Sequence, residues 1–393
     1  MRQKTVSLFH EFFRMEASSG IVLLVCAVFA MAVANSPLAS AYDDVLHQYI
    51  TVGSGGGSLS MSLLHWVNDG LMAVFFFTVG MEIKREFRFG ELRSLSATIL
   101  PAAAAFGGMV VPAGIYAAIN HGLSSISGWG TPMATDIAFA LGILALSGRG
   151  APRAIAVFLT ALAIVDDLGG IIVIAIFYTS GVKALSLAIG ALSLLIVGVC
   201  FTRRDTRSFW PYLIGGLIAW LAFYKAGIHP TIAGVLLGLL IPSGRSERTR
   251  EEHLLYHLEH RLEPWSAYAV MPIFALANAG IVIDTGSLPG LMSPIGIGIF
   301  CGLLIGKPLG IVGSVLLLVK TGLVRLPEGT RWIHFIGAGV LGGIGFTMSI
   351  FIASLAFVSQ DELMTAKLAI VCTSVVSGLF GMMIFRVAGR NDG

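Results

Sequence analysis

Ala154-Ile-Ala-Val-Phe-Leu-Thr-Ala-Leu-Ala-Ile-Val-Asp166-Asp167-Leu-Gly-Gly-Ile-Ile-Val-Ile-Ala-Ile-Phe-Tyr178 is apolar apart from one threonine, two adjacent aspartates and a closing tyrosine. It exceeds the roughly 20 residues that cross a bilayer. Its apolar residues are continuous rather than alternating, so it reads as a helix. Its two carboxylates are what a membrane span should lack. The rest of the chain repeats the pattern: 56% of its 393 residues are hydrophobic and 12% charged, with a mean hydropathy of +0.86. A soluble domain carries roughly 25% charged residues, twice what is present. Lipid is therefore the solvent for most of the chain, where only helices and closed barrels satisfy their own backbones.

Twelve helical spans are expected, at 15–34, 62–88, 96–119, 124–146, 154–178, 185–201, 208–223, 226–241, 264–283, 294–319, 332–358 and 363–386. An amphipathic helix at 252–263 feeds the ninth. The N-terminal segment resembles a signal peptide but reads as an uncleaved first span. With both termini in the cytoplasm, all but four of the 25 Lys and Arg residues fall at cytoplasmic ends and loops. Lys183, Lys225 and Lys367 lie outside and Lys307 within the membrane, the asymmetry that the positive-inside rule demands. The net charge of +3 thus reflects topology, not nucleic-acid binding. The external connection 35–61 holds two β-leaning runs around Gly53–Gly57, which suggests a hairpin. The whole of 1–393 reads as one transmembrane domain.

Asp136, Asp166, Asp167 and Lys307 sit inside apolar spans. Each costs about 2.5–3.5 kcal/mol on insertion scales, so four together are unlikely decoration; a structural salt bridge is the weaker reading. Spans four and five meet at a tight cytoplasmic turn near Arg149–Arg153. A rise of about 1.5 Å per residue puts Asp136 and Asp166 both about 20–25 Å from it, and Lys307 at a similar depth. Adjacent residues on a helix point about 100° apart. One aspartate of the 166–167 pair can then face a neighbouring helix and the other a water-filled funnel. Such a pair titrates as a unit and suits competition between protons and a hard monovalent cation, with Thr135 and backbone carbonyls as further oxygen ligands. Span four carries Gly130-Thr-Pro-Met-Ala-Thr-Asp136 and span eleven Gly342-Gly-Ile-Gly-Phe-Thr347, both patterns that break helices.

Other features read blandly. Cys26, Cys200, Cys301 and Cys372 lie in or at the ends of spans without metal-ligand spacing. His253, His257 and His260 form a wet helical face, with pH sensing as a secondary role. His229 opens span eight as a structural residue. No cofactor is indicated, and no phosphate loop.

Asn68-Asp-Gly-Leu-Met-Ala-Val-Phe-Phe-Phe77, Gly80-Met-Glu-Ile-Lys-Arg-Glu86, Ala134-Thr-Asp-Ile-Ala-Phe-Ala-Leu-Gly142, Ala163-Ile-Val-Asp-Asp-Leu-Gly169, Gly306-Lys-Pro-Leu-Gly310 and Gly343-Ile-Gly-Phe-Thr-Met-Ser-Ile-Phe-Ile-Ala-Ser354 together resemble the bacterial NhaA-type sodium/proton antiporters, in order and over nearly the whole chain. Interrupted helices at matching positions in two halves mark the binding site of secondary transporters, NhaA itself among the examples. The resemblance implies an all-α fold of twelve transmembrane helices, with inverted repeats in spans three to five and ten to twelve as an ion-binding bundle. The remaining spans form an interface panel, and unwound helices four and eleven cross. It further implies electrogenic, pH-regulated exchange of Na+ or Li+ for H+ in the bacterial inner membrane, serving pH homeostasis and salt tolerance. A homodimer contacted through the external hairpin is also implied.

On this resemblance Asp166 and Asp167 carry the cation (Na+ or Li+) and protons. Asp136 and Lys307 compensate charge, with Lys307 pairing with Asp166, and Thr135 lies at the unwound turn. Asp69 matches a further acidic position. Glu82, Arg85, Glu86, Glu259 and His260 match a cytoplasmic pH-sensing region. One departure is Glu263, where the family pattern has histidine, and it predicts a shifted pH threshold. A cation channel fits a buried lysine poorly, and an intramembrane aspartyl protease lacks its Gly-x-Gly-Asp setting here, so no enzyme activity is expected. A sodium-coupled solute symporter is the main rival; it needs groups for an organic substrate, and the spans offer carboxylates and one lysine.

Overall fold

The computed structural model describes residues 2–53, 58–147, 151–179, 181–202, 208–244, 253–283 and 288–390. Within them the chain is helical apart from one antiparallel hairpin, in which Tyr49 faces Ser62 and Val52 faces Leu59. The glycine turn expected within it, and the arginines at 149, 203, 204, 207, 245, 248 and 250, lie outside the described residues. By length and composition six helices can cross a membrane, or up to nine if each of three bent pairs is one span. Of the other predicted spans, the eighth is a helix of 10 residues, Thr231–Leu240. The ninth begins in the polar-faced helix Leu254–Trp265 and runs on to Asn278.

The chain forms two compact units. The first comprises Met1–Val25, Glu91–Gly170 and Ile281–Gly393. It holds helices Leu95–Ile119, Ile137–Leu146, Lys307–Lys320, Trp332–Gly342, Phe346–Ala356 and Gln360–Arg390, and most of Arg153–Phe177. Short polar side chains start two helices of this unit: Ser94 caps Leu95–Ile119 with its oxygen on the Ala97 N–H, and Ser293 caps Pro294–Cys301 on that of Gly296. Helices Leu95–Ile119 and Lys307–Lys320 touch backbone to backbone, since Gly107 and Gly310 each lie against the other's carbonyl. Lys367, expected outside, lies two turns into Gln360–Arg390 and is 7% exposed.

The second unit comprises Cys26–Gly90 and Ile171–Gly280. Here Gly80, Gly234 and Gly238 press helices Met72–Phe89 and Thr231–Leu240 together, each against a carbonyl of the other helix. The ten-residue helix is thereby seated despite its length. Helix Trp210–Ala226 stops at Gly227, whose φ of 80° only glycine adopts readily.

Candidate functional site

Two helices of the first unit break in mid-course. Ser124–Met133, an unusually long 3₁₀ stretch, stops at Ala134, and Ile137–Leu146 resumes after Asp136 with a bend of 45°. Trp332–Gly342 and Phe346–Ala356 are bent by 43° across Gly343–Gly345. Each break exposes backbone groups that must be bonded elsewhere, and each supplies partners to the other. The Thr135 hydroxyl donates to the Gly342 carbonyl at 2.9 Å. The Asp136 N–H donates to the Ile344 carbonyl at 2.7 Å.

Asp136 joins the two helix starts. Its Oδ1 accepts from the Phe139 N–H at 3.2 Å, capping its own helix. Its Oδ2 accepts from the Thr347 N–H at 3.1 Å and from the Thr347 hydroxyl. The positive ends of two helices thus converge on one carboxylate. The rings of Phe139 and Phe346 pack edge to face above them, centroids 4.9 Å apart.

Lys307 and Asp166 form an ion pair of 2.7 Å between Nζ and Oδ2, and neither side chain has any solvent exposure. Lys307 therefore reaches a carboxylate; the carbonyl end at Gly342 is met by Thr135 instead. The other Asp166 oxygen, Oδ1, has no well-aligned hydrogen bond; besides Lys307, the Thr135 hydroxyl and N–H are the donors closest to this carboxylate. Asp167 is within electrostatic reach of Lys307 and is 8% exposed against 1% for Asp166, so it is the less deeply buried carboxylate of the pair. The structure thus brings Thr135, Asp136, Asp166, Asp167 and Lys307 into one buried neighbourhood of the first unit.

In the second unit Arg85 gathers the carboxylates of the other predicted cluster. Its Nη1 lies 2.8 Å from Glu259, and its Nη2 lies 3.1 Å from Glu86 and 3.6 Å from Glu82. Glu263, the departure noted above, also acts electrostatically on Arg85 and Glu82. One guanidinium faces four carboxylates. Among the described contacts His260 does not join them: it is exposed, its ring 4.1 Å from that of Tyr256.

Asp69 lies in a π-helical turn, Trp66–Leu71. Its carboxylate is 3.3 Å from His229 Nε2, its carbonyl accepts from the Trp220 indole at 2.9 Å, and Asn68 pairs with Asn278 at 2.8 Å beside it. Sequence reasoning missed His229 as the partner of Asp69, and Thr347 as a ligand of Asp136. Thr347 was open to detection, since it lies two residues beyond the glycine break and carries a hydroxyl. Nothing in the sequence pairs residues 69 and 229.

A family model described as Na+/H+ antiporter 1 matches residues 10–385. Among curated proteins, the Na(+)/H(+) antiporter NhaA 1 of Clostridium beijerinckii is 52% identical over 98% of this chain and 97% of its own length. The Na(+)/H(+) antiporter NhaA of Vibrio campbellii is 46% identical over 95% of this chain and 94% of its own. Among solved structures, the sodium proton antiporter MjNhaP1 of Methanocaldococcus jannaschii shares the fold at a TM-score of 0.53 and 11% identity, over 94% of this chain and 91% of that one. This chain belongs to the Na+/H+ antiporter 1 family, and is a multi-pass membrane protein.

Proposed function

We propose that this protein is a secondary antiporter that exports Na+, and Li+, in exchange for H+ across the bacterial inner membrane, electrogenically and under pH control. The observation that carries this is the Lys307–Asp166 pair, wholly buried at 2.7 Å, beside the slightly exposed Asp167. A buried ion pair is a poor source of stability. Here it guards a carboxylate that a cation can take over. Na+ enters from the cytoplasm, meets Asp167 first, and displaces protons and the lysine from the carboxylate pair. Thr135 and backbone carbonyls at the two breaks supply neutral oxygen ligands. The loaded site reorients and releases Na+ outside, and protons return it. More than one protonatable group answers to each cation, so charge moves with every cycle. Asp136 holds two helix starts together throughout.

Twelve spans, unwound crossing helices four and eleven, and cytoplasmic termini are part of this reading. So is the division of a single transporter domain into an ion-binding bundle and an interface panel; the two compact units support it. A homodimer is supported by the hairpin, whose Tyr49, Ile50 and Val52 are all exposed. Glu82, Arg85, Glu86 and Glu259 respond to cytoplasmic pH as a charge cluster with Glu263, and His260 adds a group at its margin. Radiolabelled Na+ uptake into proteoliposomes under an imposed pH gradient tests the exchange. Uptake that follows the gradient without any organic solute supports antiport; a requirement for a solute overturns it in favour of symport.

A further inference from the structure

Ser377 carries a hydroxyl that the exchange site does not account for. Its side chain is wholly buried in helix Gln360–Arg390, and its oxygen makes no hydrogen bond. The backbone of Leu303 has the complementary want. Gly302–Gly306 is a π-helical turn, and the Lys307 N–H that closes it reaches back to the Gly302 carbonyl. The next donor position is Pro308, which has no N–H. The Leu303 carbonyl is therefore left without a donor four or five residues along its own helix. Both atoms border one spot: a Cβ on Gly343 would lie 2.5 Å from the Leu303 oxygen and 2.8 Å from Ser377 Oγ, with the Val340 oxygen, which already accepts from the Gly343 N–H, at 3.1 Å. Gly343 stands where helix Trp332–Gly342 ends at its break.

We propose that Ser377 is a positioning residue for Lys307: on turning toward the Leu303 carbonyl, or through one buried water, its hydroxyl donates to that oxygen and so holds the π-turn that aims Lys307 at Asp166. The inference rests on the reading of Lys307 and Asp166 as the exchange site. The physical ground is a competition for one donor. In the π-turn the Lys307 N–H serves Gly302; in an α-turn it serves Leu303. A buried carbonyl without a donor favours the α-turn, which rotates Lys307 relative to the residues before it. A hydroxyl donated from Ser377 removes that incentive. Gly343 leaves the space for this meeting, since any side chain there would separate the two atoms. Ser377 touches neither ion nor proton; it acts on affinity through the lysine.

The test is Na+-driven proton exchange in everted vesicles, with apparent KM and maximal rate read separately. Ser377→Ala is expected to raise the apparent KM for Na+ about 3- to 10-fold, the scale of one modest hydrogen bond, and to shift the pH profile with the maximal rate retained. Ser377→Cys, a weaker donor of similar size, falls between, and is read alone if Ser377→Ala does not accumulate in the membrane. Pro308→Ala restores an N–H five residues beyond Leu303, so the double variant Ser377→Ala/Pro308→Ala has the KM of Pro308→Ala alone. Lys307→Ala run in parallel separates the two readings. A normal KM in Lys307→Ala overturns the exchange site itself. An impaired Lys307→Ala beside an unchanged KM in Ser377→Ala and Ser377→Cys, or additive effects in the double variant, overturns the role of Ser377.

Discussion

Asp166, Asp167 and Lys307 differ in what each loses by substitution. On the proposed mechanism, Asp166→Asn and Asp167→Asn remove a cation ligand and a proton carrier while keeping shape, so each abolishes exchange with the protein still present in the membrane; transport and immunoblotting check this together. Lys307→Ala leaves the Asp166 carboxylate buried without its counter-charge. Breaking one side of a buried pair costs about 3–5 kcal/mol, so the thermal transition of the purified protein drops sharply. Lys307→Arg keeps the charge and is milder. At the Arg85 cluster, Glu263→Gln deletes one of the four carboxylates around the guanidinium, and the activity profile moves toward lower pH; an unmoved profile removes Glu263 from the pH response. The carboxylates and lysine were legible in the sequence because a charge in an apolar span has no cheap explanation. Thr347 at Asp136 and His229 at Asp69 were not, since each partnership joins distant residues through packing. His260 shows the converse: a motif match placed it in a cluster, yet its ring turns to Tyr256.

Elements were readable where they break and opaque where they deform gently. Glycine and proline announced both interruptions, and the structure breaks at Ala134–Asp136 and Gly343–Gly345. The breaks are tolerated because each satisfies the other, through Thr135 to Gly342 and Asp136 to Ile344. The π-helical turns at Trp66–Leu71 and Gly302–Gly306 have no comparable signal, since they insert one residue without changing the apolar pattern. Thr347→Val keeps volume but deletes the hydroxyl on Asp136. It weakens cation affinity about 10- to 100-fold, on the scale of one hydrogen bond to a charged group, measured as apparent KM for Na+. Gly310→Val drives a branched side chain into the Gly107 carbonyl. The helix that carries Lys307 must then shift, and both thermal stability and transport fall; Gly313→Val, in open space on the same helix, is the control that stays near the parent.

At the scale of the molecule, composition and charge asymmetry decided that the chain spans a membrane, and the helical structure agrees. The number of spans is less plain in coordinates than in charge: Thr231–Leu240 is too short alone, and two of the bent pairs are one predicted span each. Removing the hairpin residues 49–62 is predicted to leave a transporting monomer, seen as a halved mass in detergent. Exchange of Na+ for protons at Asp166, Asp167 and Lys307 is the core of the proposed mechanism. Its most direct test is Na+-induced collapse of a preformed pH gradient in everted membrane vesicles, scanned from neutral to mildly alkaline pH. The account predicts a response to Na+ and Li+, none to K+, and its loss in Asp167→Asn. A full response in Asp167→Asn, or none in the parent at any pH, contradicts it.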